Sequence, residues 1–182
     1  MTRVTWQRNK QMPRLWRFSE LIDTDVLAPG FYMKSPLPEL ASHCLEAIRP
    51  DFASTAGQGD IMLSGPNMGV GSSREQAAEV LKYLGVEAII APSFAGIFYR
   101  NAINLGLPAF TIPEASLEMP ELEDGAEVRF DLDAAELTLV EHDITITLEP
   151  LPAFLKEMVL DGGLVPHLEK RFANAAADKD II

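Results

Sequence analysis

Cysteine is nearly absent from this chain of 182 residues, and histidine is sparse. The single cysteine, Cys44, cannot form a disulfide within the chain, and one thiol cannot by itself hold a zinc ion or an iron–sulfur cluster. The three histidines, His43, His142 and His167, do not have the spacing of a metal site. The sequence therefore predicts no metal-binding or cofactor-binding residues in this chain.

Long apolar runs and basic residues are also scarce. No stretch reaches the roughly 18 to 20 apolar residues that a membrane span needs, and the N-terminus lacks the apolar core of a signal peptide. Lysine and arginine number 15 against 27 aspartates and glutamates, which gives a net charge of −12. A surface with this charge repels phosphate backbones. We therefore expect a cytoplasmic protein that binds neither membranes nor nucleic acid.

The chain length suits one domain, and the hydrophobic fraction of 47% allows a sizeable core. We predict a single domain over residues 1–182, with residues 1–15 as an N-terminal extension and residues 173–182 as a flexible polar tail.

The centre of the chain alternates strand and helix patterns. The predicted order is a strand at 60–64, a glycine-rich loop at 69–71, a helix from Ser72 that ends at Gly85, a strand at 86–91, a helix that ends at Gly106, and a strand at 109–112. Short links between such elements are typical of a parallel sheet with crossover helices. We predict an α/β fold with a parallel βαβαβ centre.

The remaining segments add a second, β-rich layer. Strands are predicted at 127–131, 137–140 and 143–148, where polar and apolar residues alternate, and this half is expected to be antiparallel. Helices are predicted at 39–48, 152–160 and 165–172, and a loop at 23–30.

The segment Gly69-Val70-Gly71-Ser72-Ser73-Arg74-Glu75 is the most specific feature. On one interpretation Ser72 and Glu75 form a capping box at the start of a helix. On the other, the glycines let the backbone approach a ligand, the helix start attracts an anion, and the Arg74 guanidinium binds a carboxylate. Ser72 then acts as a base, because positive potential stabilises its alkoxide. The two interpretations are compatible.

Two other assignments of this loop fit poorly. It lacks the Gly-Lys-Ser/Thr ending of a P-loop and the third glycine of a dinucleotide fingerprint. It also lacks the G-x-S-x-G elbow of a serine hydrolase.

Two neighbouring segments are candidates for supporting roles. Asp23-Thr24-Asp25 is either simple turn chemistry or a source of a carboxylate that orients an arginine, and we select Asp25 for that role. In the segment 93–104, Ser93 is predicted to cap a helix, and Asn101 is assigned to architecture.

Three motifs in order along the chain carry a resemblance. They are Asp23-Thr24-Asp25-Val26-Leu27-Ala28-Pro29-Gly30, then Gly71-Ser72-Ser73-Arg74-Glu75, then Ser93-Phe94-Ala95 with residues 97–104 and Gly106-Leu107-Pro108. In this order they resemble the small subunit of 3-isopropylmalate dehydratase and its homoaconitase relatives. The likeness covers residues 16–165, most of the chain.

The resemblance implies the swivelling domain of the aconitase superfamily, a β/β/α layered fold that closes over an active site carried mostly by a large subunit. That partner is expected to hold a four-iron four-sulfur cluster, whose open iron acts as a Lewis acid on the hydroxyl of a carboxylic acid substrate. By similarity, Ser72 is the catalytic base, Ser73 and Arg74 bind substrate, and Asp25 positions the charged groups.

Two groups of positions in the resemblance bear on the substrate. Family members usually differ at Met68, Val70, Gln76, Pro92 and Gly96, which surround the motif without replacing Ser72 or Arg74. The loop that meets the variable arm of the substrate is apolar in isopropylmalate-type relatives and carries arginine in homoaconitate-type relatives, whereas Lys34 stands here. Lys34 either pairs with an extra carboxylate or extends into solvent.

We therefore expect the small subunit of a hydro-lyase that isomerises 3-isopropylmalate in leucine biosynthesis. Homoaconitate and methyl-substituted malates are the alternative substrates. A stand-alone anion-binding or regulatory module is the alternative from a different class, and a free-standing phosphate-binding enzyme is a third interpretation.

Overall fold

A computed structural model describes residues 12–177 of the chain. Its strands are β1 (Leu15–Arg17), β2 (Asp60–Leu63), β3 (Val86–Ala91), β4 (Ala109–Thr111), β5 (Val128–Asp131), β6 (Glu136–Leu139) and β7 (Ile144–Thr147). Its helices are α1 (Thr24–Leu27), α2 (Leu37–Ser42), α3 (Phe52–Thr55), α4 (Gln76–Leu84), α5 (Gly96–Asn104), α6 (Ala153–Leu160) and α7 (Leu164–Ala177). Short 3-10 helices lie at Gly30–Tyr32 and Glu114–Glu118.

The central sheet has four parallel strands in the order β1-β2-β3-β4. Strands β2, β3 and β4 with helices α4 and α5 between them confirm the predicted parallel βαβαβ centre. The edge strand β1 was missed, because a strand of three residues is too short for its periodicity to be visible in the sequence.

The second sheet consists of β5, β6 and β7 and is antiparallel, as predicted. Its apolar residues, including Val128, Leu137 and Leu139, pack against one face of the parallel sheet. On β2, Ile61 and Leu63 belong to that core, whereas Met62 belongs to the core under the helices. Successive side chains of a strand point to opposite faces, so the parallel sheet is the middle of three layers. The predicted β/β/α layering is confirmed.

The prediction of one helix over residues 39–48 is wrong. Helix α2 ends at Ser42, and Leu45 has a positive φ of 60°. The N–H of Leu45 donates to the carbonyl of Val26 at 2.8 Å instead of continuing the helix. A contact with a distant segment therefore overrides the apolar periodicity on which the prediction rested.

The loop predicted at 23–30 contains a turn of helix, α1. Asp23 caps it, since its Oδ1 accepts hydrogen bonds from the N–H groups of Asp25 (2.9 Å) and Val26 (2.8 Å). The turn chemistry expected of this segment is thus provided by Asp23, which leaves the carboxylate of Asp25 available for another partner.

The predicted cap at Ser93 is wrong as well. Helix α5 begins after Ala95, and no side chain caps it. The Ser93 hydroxyl instead accepts a hydrogen bond from the N–H of Asn67 at 2.9 Å. Helix α6 follows its prediction closely, and α7 extends the predicted 165–172 in both directions.

The ends of the chain bear on the domain prediction. Leu15, assigned to the N-terminal extension, is buried in β1, and residues 173–177 of the assigned tail belong to α7. Residues 1–11 of the assigned extension and residues 178–182 of the assigned tail lie outside the described residues.

Candidate functional site

Three segments meet at the carboxyl edge of the parallel sheet. The N–H of Gly69 donates to the carbonyl of Ile22 (2.8 Å), and the N–H of Thr24 donates to the carbonyl of Val70 (2.9 Å). On the other side, Met68 and Phe94 form a parallel bridge. The loop after β2 is therefore held between the segment that leads into α1 and the segment that leads into α5. This is the edge at which parallel α/β sheets usually bind ligands.

Both glycines of this loop are required by neighbours within the chain. Gly69 has a φ of +75°, and a Cβ there would lie 2.1 Å from Cγ of Phe98. Gly71 has a φ of +124°, and a Cβ there would lie 2.6 Å from Oγ1 of Thr24. The close approach that the glycines allow is to the core on one side and to α1 on the other.

The capping box predicted for Ser72 and Glu75 is not formed. Helix α4 begins at Gln76, and no side chain caps it. The N–H of Ser72 donates to Oγ1 of Thr24 at 2.9 Å, and the two hydroxyl oxygens lie 3.2 Å apart. The electrostatic field of a helix end declines within its first turn. We therefore expect the stability of a deprotonated Ser72 hydroxyl to depend more on Thr24 and Arg74 than on α4.

Asp25 and Arg74 are brought together, as the sequence suggested. Nη1 of Arg74 donates to Oδ1 of Asp25 and also to the carbonyl of Ala28 at 3.1 Å. Nε and Nη2 of Arg74 make no hydrogen bond with any other described residue, and the side chain is 27% exposed. The guanidinium is thus fixed through one nitrogen while its other donors remain open to a ligand carboxylate.

Ser73 lies between the base candidate and the arginine and is exposed. Its carbonyl accepts a hydrogen bond from Nδ2 of Asn101 at 3.4 Å. Asn101, which the sequence analysis assigned to architecture, therefore ties α5 to the loop through the backbone of Ser73.

Lys34 follows the 3-10 helix at Gly30–Tyr32 and is exposed. Among residues 12–177 it makes no hydrogen bond or ion pair, so no polar contact of this kind ties it to Ser72, Ser73 or Arg74. The loop that carries it is anchored by Tyr32, whose ring stacks on His43 with centroids 3.5 Å apart.

This arrangement can be compared with known proteins. The family model described as the aconitase C-terminal domain matches residues 48–115, which include the Ser72 loop. The methanogen homoaconitase small subunit of Methanothermobacter thermautotrophicus is 45% identical over 158 residues, 86% of this chain and 89% of that protein. The 3-isopropylmalate dehydratase small subunit of Syntrophus aciditrophicus is 40% identical over 159 residues, 87% of this chain and 95% of that protein. This chain belongs to the family of 3-isopropylmalate dehydratase and homoaconitase small subunits.

A solved structure agrees with this family assignment. The crystal structure of 3-isopropylmalate dehydratase from Methanocaldococcus jannaschii matches with a TM-score of 0.83 and 40% identity, and the match covers 91% of this chain and 97% of that chain. The sequence resemblance is confirmed by these likenesses, as is membership of a hydro-lyase family. The roles of individual site residues stay predictions.

A cavity of about 480 Å³ adjoins the site at the ends of β3 and β4. It is lined in part by Pro92, Gly96, Tyr99 and Glu149. Burial and the nearby carboxylate of Glu149 raise the pKa of the Tyr99 phenol. No lysine or arginine lines this cavity.

The described residues do not fit an iron–sulfur cluster or a metal ion of their own. Within residues 12–177, no three His, Cys, Asp or Glu side chains are close enough together to hold a metal ion. Cys44 is completely buried, and burial raises the pKa of its thiol, so it does not readily provide a thiolate ligand. Family membership fits a cluster carried elsewhere in an assembled enzyme.

Over residues 12–177, none of the helices combines the length and the apolar character that a membrane crossing requires. The cytoplasmic location stays a prediction from the sequence.

One polar residue of the site received no role from the sequence. Thr24 was quoted within the first motif, but nothing there distinguishes its hydroxyl from an ordinary turn residue. Its hydrogen bond to Ser72 forms because α1 lies against the loop at Gly71 and Ser72, and these residues are far from Thr24 in the sequence.

Proposed function

We propose that this chain is the small subunit of a hydro-lyase that interconverts 2-isopropylmalate and 3-isopropylmalate, as the names of its relatives suggest. The observation that supports this most directly is the Arg74 guanidinium, which is held by Asp25 and the carbonyl of Ala28 and keeps open donors two residues after Ser72. The pair of Ser72 and Arg74 suits a reaction in which a proton is removed next to a carboxylate.

In the proposed mechanism, Arg74 binds a substrate carboxylate through Nε and Nη2. Asp25 and the carbonyl of Ala28 hold Nη1, which fixes the plane of the guanidinium. Ser73 contributes its exposed hydroxyl to substrate binding. These contacts orient the substrate so that the hydrogen to be removed faces Oγ of Ser72.

Ser72 then accepts the proton in its deprotonated form. The cationic guanidinium two residues away and a hydrogen bond from a neighbouring hydroxyl stabilise the alkoxide. The electron pair of the broken C–H bond forms the double bond of an alkene intermediate, and the hydroxyl on the neighbouring carbon departs. Addition of water to this double bond with the opposite regiochemistry then gives the isomeric acid. We assign assistance to the departure of the hydroxyl to a large subunit that carries a four-iron four-sulfur cluster, because the described residues of this chain have no site for one.

A homoaconitase activity is the second candidate. Two observations support it: the 45% identity to a methanogen homoaconitase small subunit and the cationic side chain of Lys34. A longer tricarboxylate has an additional carboxylate that an ammonium group at the loop of Lys34 would neutralise.

The test is to co-express this chain with the large subunit from the same organism and to purify the complex without oxygen. We expect the complex to turn over 3-isopropylmalate, and neither subunit alone to do so. Homoaconitate and methylmalates are assayed in parallel. In the complex, Ser72→Ala should lower kcat by about 10²- to 10⁴-fold, the range for loss of a general base.

A matched control is Ser54→Ala. Ser54 is exposed on α3 and donates to the carbonyl of Asp51, far from the site segments, so turnover should be unchanged. Normal turnover by Ser72→Ala would remove Ser72 from its role. A chain that binds no large subunit and is inactive, although a control complex survives the same purification, would instead support the stand-alone anion-binding module.

A further inference from the structure

Thr24 is one of three polar residues that are buried within residues 12–177, together with Asp60 and Ser64. None of its surface is exposed to solvent. A buried hydroxyl is stable only if its hydrogen bonds are satisfied, so its partners indicate what it does. Those partners belong to the loop that carries the proposed base.

The hydroxyl of Thr24 has one proton to donate and two lone pairs that accept. One lone pair accepts the N–H of Ser72 at 2.9 Å. Oγ of Ser72, at 3.2 Å, is the only other group among the described residues that bonds to this hydroxyl. When Ser72 is deprotonated, its oxygen has no proton to donate, so the proton of this hydrogen bond must come from Thr24.

The position of the Thr24 side chain is fixed from several directions. Its N–H donates to the carbonyl of Val70 at 2.9 Å, and α1 is capped by Asp23. Its Oγ1 occupies the space that a Cβ on Gly71 would need, at 2.6 Å. The backbone and the side chain of Thr24 are therefore both tied to residues 70–72, which leaves its hydroxyl little freedom to turn away from Ser72.

We propose that Thr24 is the positioning residue of the proposed base. Its buried hydroxyl accepts a hydrogen bond from the backbone N–H of Ser72, and it donates a hydrogen bond to Oγ of Ser72 when Ser72 is deprotonated. This inference rests on the proposed function of Ser72. The N–H of Ser72 polarises the Thr24 hydroxyl and so strengthens its donation to Ser72, since hydrogen bonds in a chain reinforce each other. Thr24 itself touches no substrate.

The test compares Thr24→Val with Thr24→Ser in the complete complex with the large subunit. Valine has nearly the shape of threonine without the hydroxyl, and serine keeps the hydroxyl without the methyl group. For Thr24→Val we expect kcat to fall by about 10- to 100-fold, as for loss of a hydrogen bond to a charged oxygen, while KM changes by less than about threefold. Thr24→Ser should restore kcat to within about fivefold of the natural enzyme.

A pH profile separates this role from a merely structural one. The hydrogen bond stabilises the deprotonated form of Ser72. Its loss should therefore shift the rising limb of the plot of kcat against pH to higher pH in Thr24→Val but not in Thr24→Ser. Thermal unfolding and the yield of the complex are measured on each variant. If Thr24→Val does not assemble, Thr24→Ala removes the hydroxyl without any steric clash and takes its place.

Three results would overturn the inference: an unchanged kcat in Thr24→Val, an equal loss of kcat in Thr24→Ser and Thr24→Val, or a loss that appears only in KM. Ser72→Ala is measured beside them. If Ser72→Ala keeps its activity, the proposed role of Ser72 fails. If Ser72→Ala is inactive while Thr24→Val is fully active, the role of Ser72 stands and only the inference about Thr24 fails.

Discussion

Each edge of the parallel sheet has an aspartate that accepts hydrogen bonds, but one of these aspartates is buried and the other is exposed. At the amino edge, Asp60 is the first residue of β2 and is 3% exposed. It accepts hydrogen bonds from Nε1 of Trp16 (2.9 Å) and from the N–H groups of Arg14 (3.1 Å) and Gly57 (3.0 Å). At the carboxyl edge, the side chain of Asp25 is 68% exposed, and its side-chain partner is Arg74.

The difference shows which polar group stabilises the fold and which one is available to a ligand. Asp60 is buried with several donors directed at it, so its hydrogen bonds are internal and complete. Around Asp25 the network is open, because Arg74 has donors without a partner among the described residues. We therefore expect changes at the amino edge to affect stability and changes at the carboxyl edge to affect turnover.

The largest expected effect on stability is that of Asp60→Ala. This change leaves three N–H donors without their acceptor in a buried position, and we expect the free energy of unfolding to fall by about 2 to 5 kcal/mol. Chemical denaturation of the isolated chain measures this loss. Asp124→Ala is the control. The side chain of Asp124 is 37% exposed where it pairs with Arg49 and accepts a hydrogen bond from the N–H of Arg17, and water can replace both contacts. It should cost about 1 kcal/mol or less.

The assignment of Asp60 to stability would be wrong if Asp60→Ala and Asp124→Ala destabilised the chain equally. It would also be wrong if the Asp60→Ala protein that remains folded lost turnover in the complex with the large subunit.

The sequence predicted the layers better than it predicted the polar contacts between them. Strands β2 and β3 are apolar runs bounded by turn residues, and β7 alternates, so local pattern was enough to find them. The helix at 39–48 failed because the N–H of Leu45 bonds to Val26, a partner that no local pattern reveals.

At the site, the motifs indicated Asp25, Ser72 and Arg74, and the structure brings Asp25 and Arg74 into contact. The capping box failed because the N–H of Ser72 bonds to Thr24, 48 residues earlier in the chain. Local sequence cannot show that preference, since the competing partner lies on another segment. What the sequence did not predict is therefore mostly long-range hydrogen bonding.

The next prediction concerns Arg74→Lys at the carboxyl edge of the parallel sheet. An ammonium cannot bind Asp25 and the carbonyl of Ala28 while also presenting two parallel donors to a carboxylate. We expect kcat/KM of the assembled enzyme to fall by about 10- to 100-fold, with most of the loss in KM. Thermal stability should change little, because the carboxylate of the Asp25–Arg74 pair is 68% exposed.

Arg129→Lys provides the matched control for this change. Arg129 is exposed on β5, in the antiparallel layer, and its replacement should leave both turnover and stability unchanged. If Arg74→Lys had natural kinetics, Arg74 would be a structural residue, and the carboxyl edge would resemble the amino edge more than we propose.

The smallest expected effect concerns a third polar cluster, which lies between the other two in exposure. Asp161 follows α6 and accepts hydrogen bonds from Nζ of Lys170 (2.5 Å) and Nδ1 of His167 (2.7 Å) on α7. Its side chain is 14% exposed. The hydrogen bonds from Lys170 and then His167 lower the pKa of the Asp161 carboxyl below its ordinary value.

A lowered pKa in the folded state means that the charged carboxylate adds stability above the ordinary pKa, and that this stability is lost as the pH falls through the lower, folded-state pKa. Asp161→Asn should therefore be less stable than the natural chain at pH 7, and the difference should shrink in strong acid. Melting temperatures measured from pH 7 down to pH 3 test this. The control Asp133→Asn removes the partner of Lys156 where the carboxylate is 76% exposed, so it should show almost no difference at any pH. If both variants gave the same profile, shielding from solvent would not be what separates a stabilising ion pair from an ineffective one in this fold, and the contrast between Asp60 and Asp25 would need another cause.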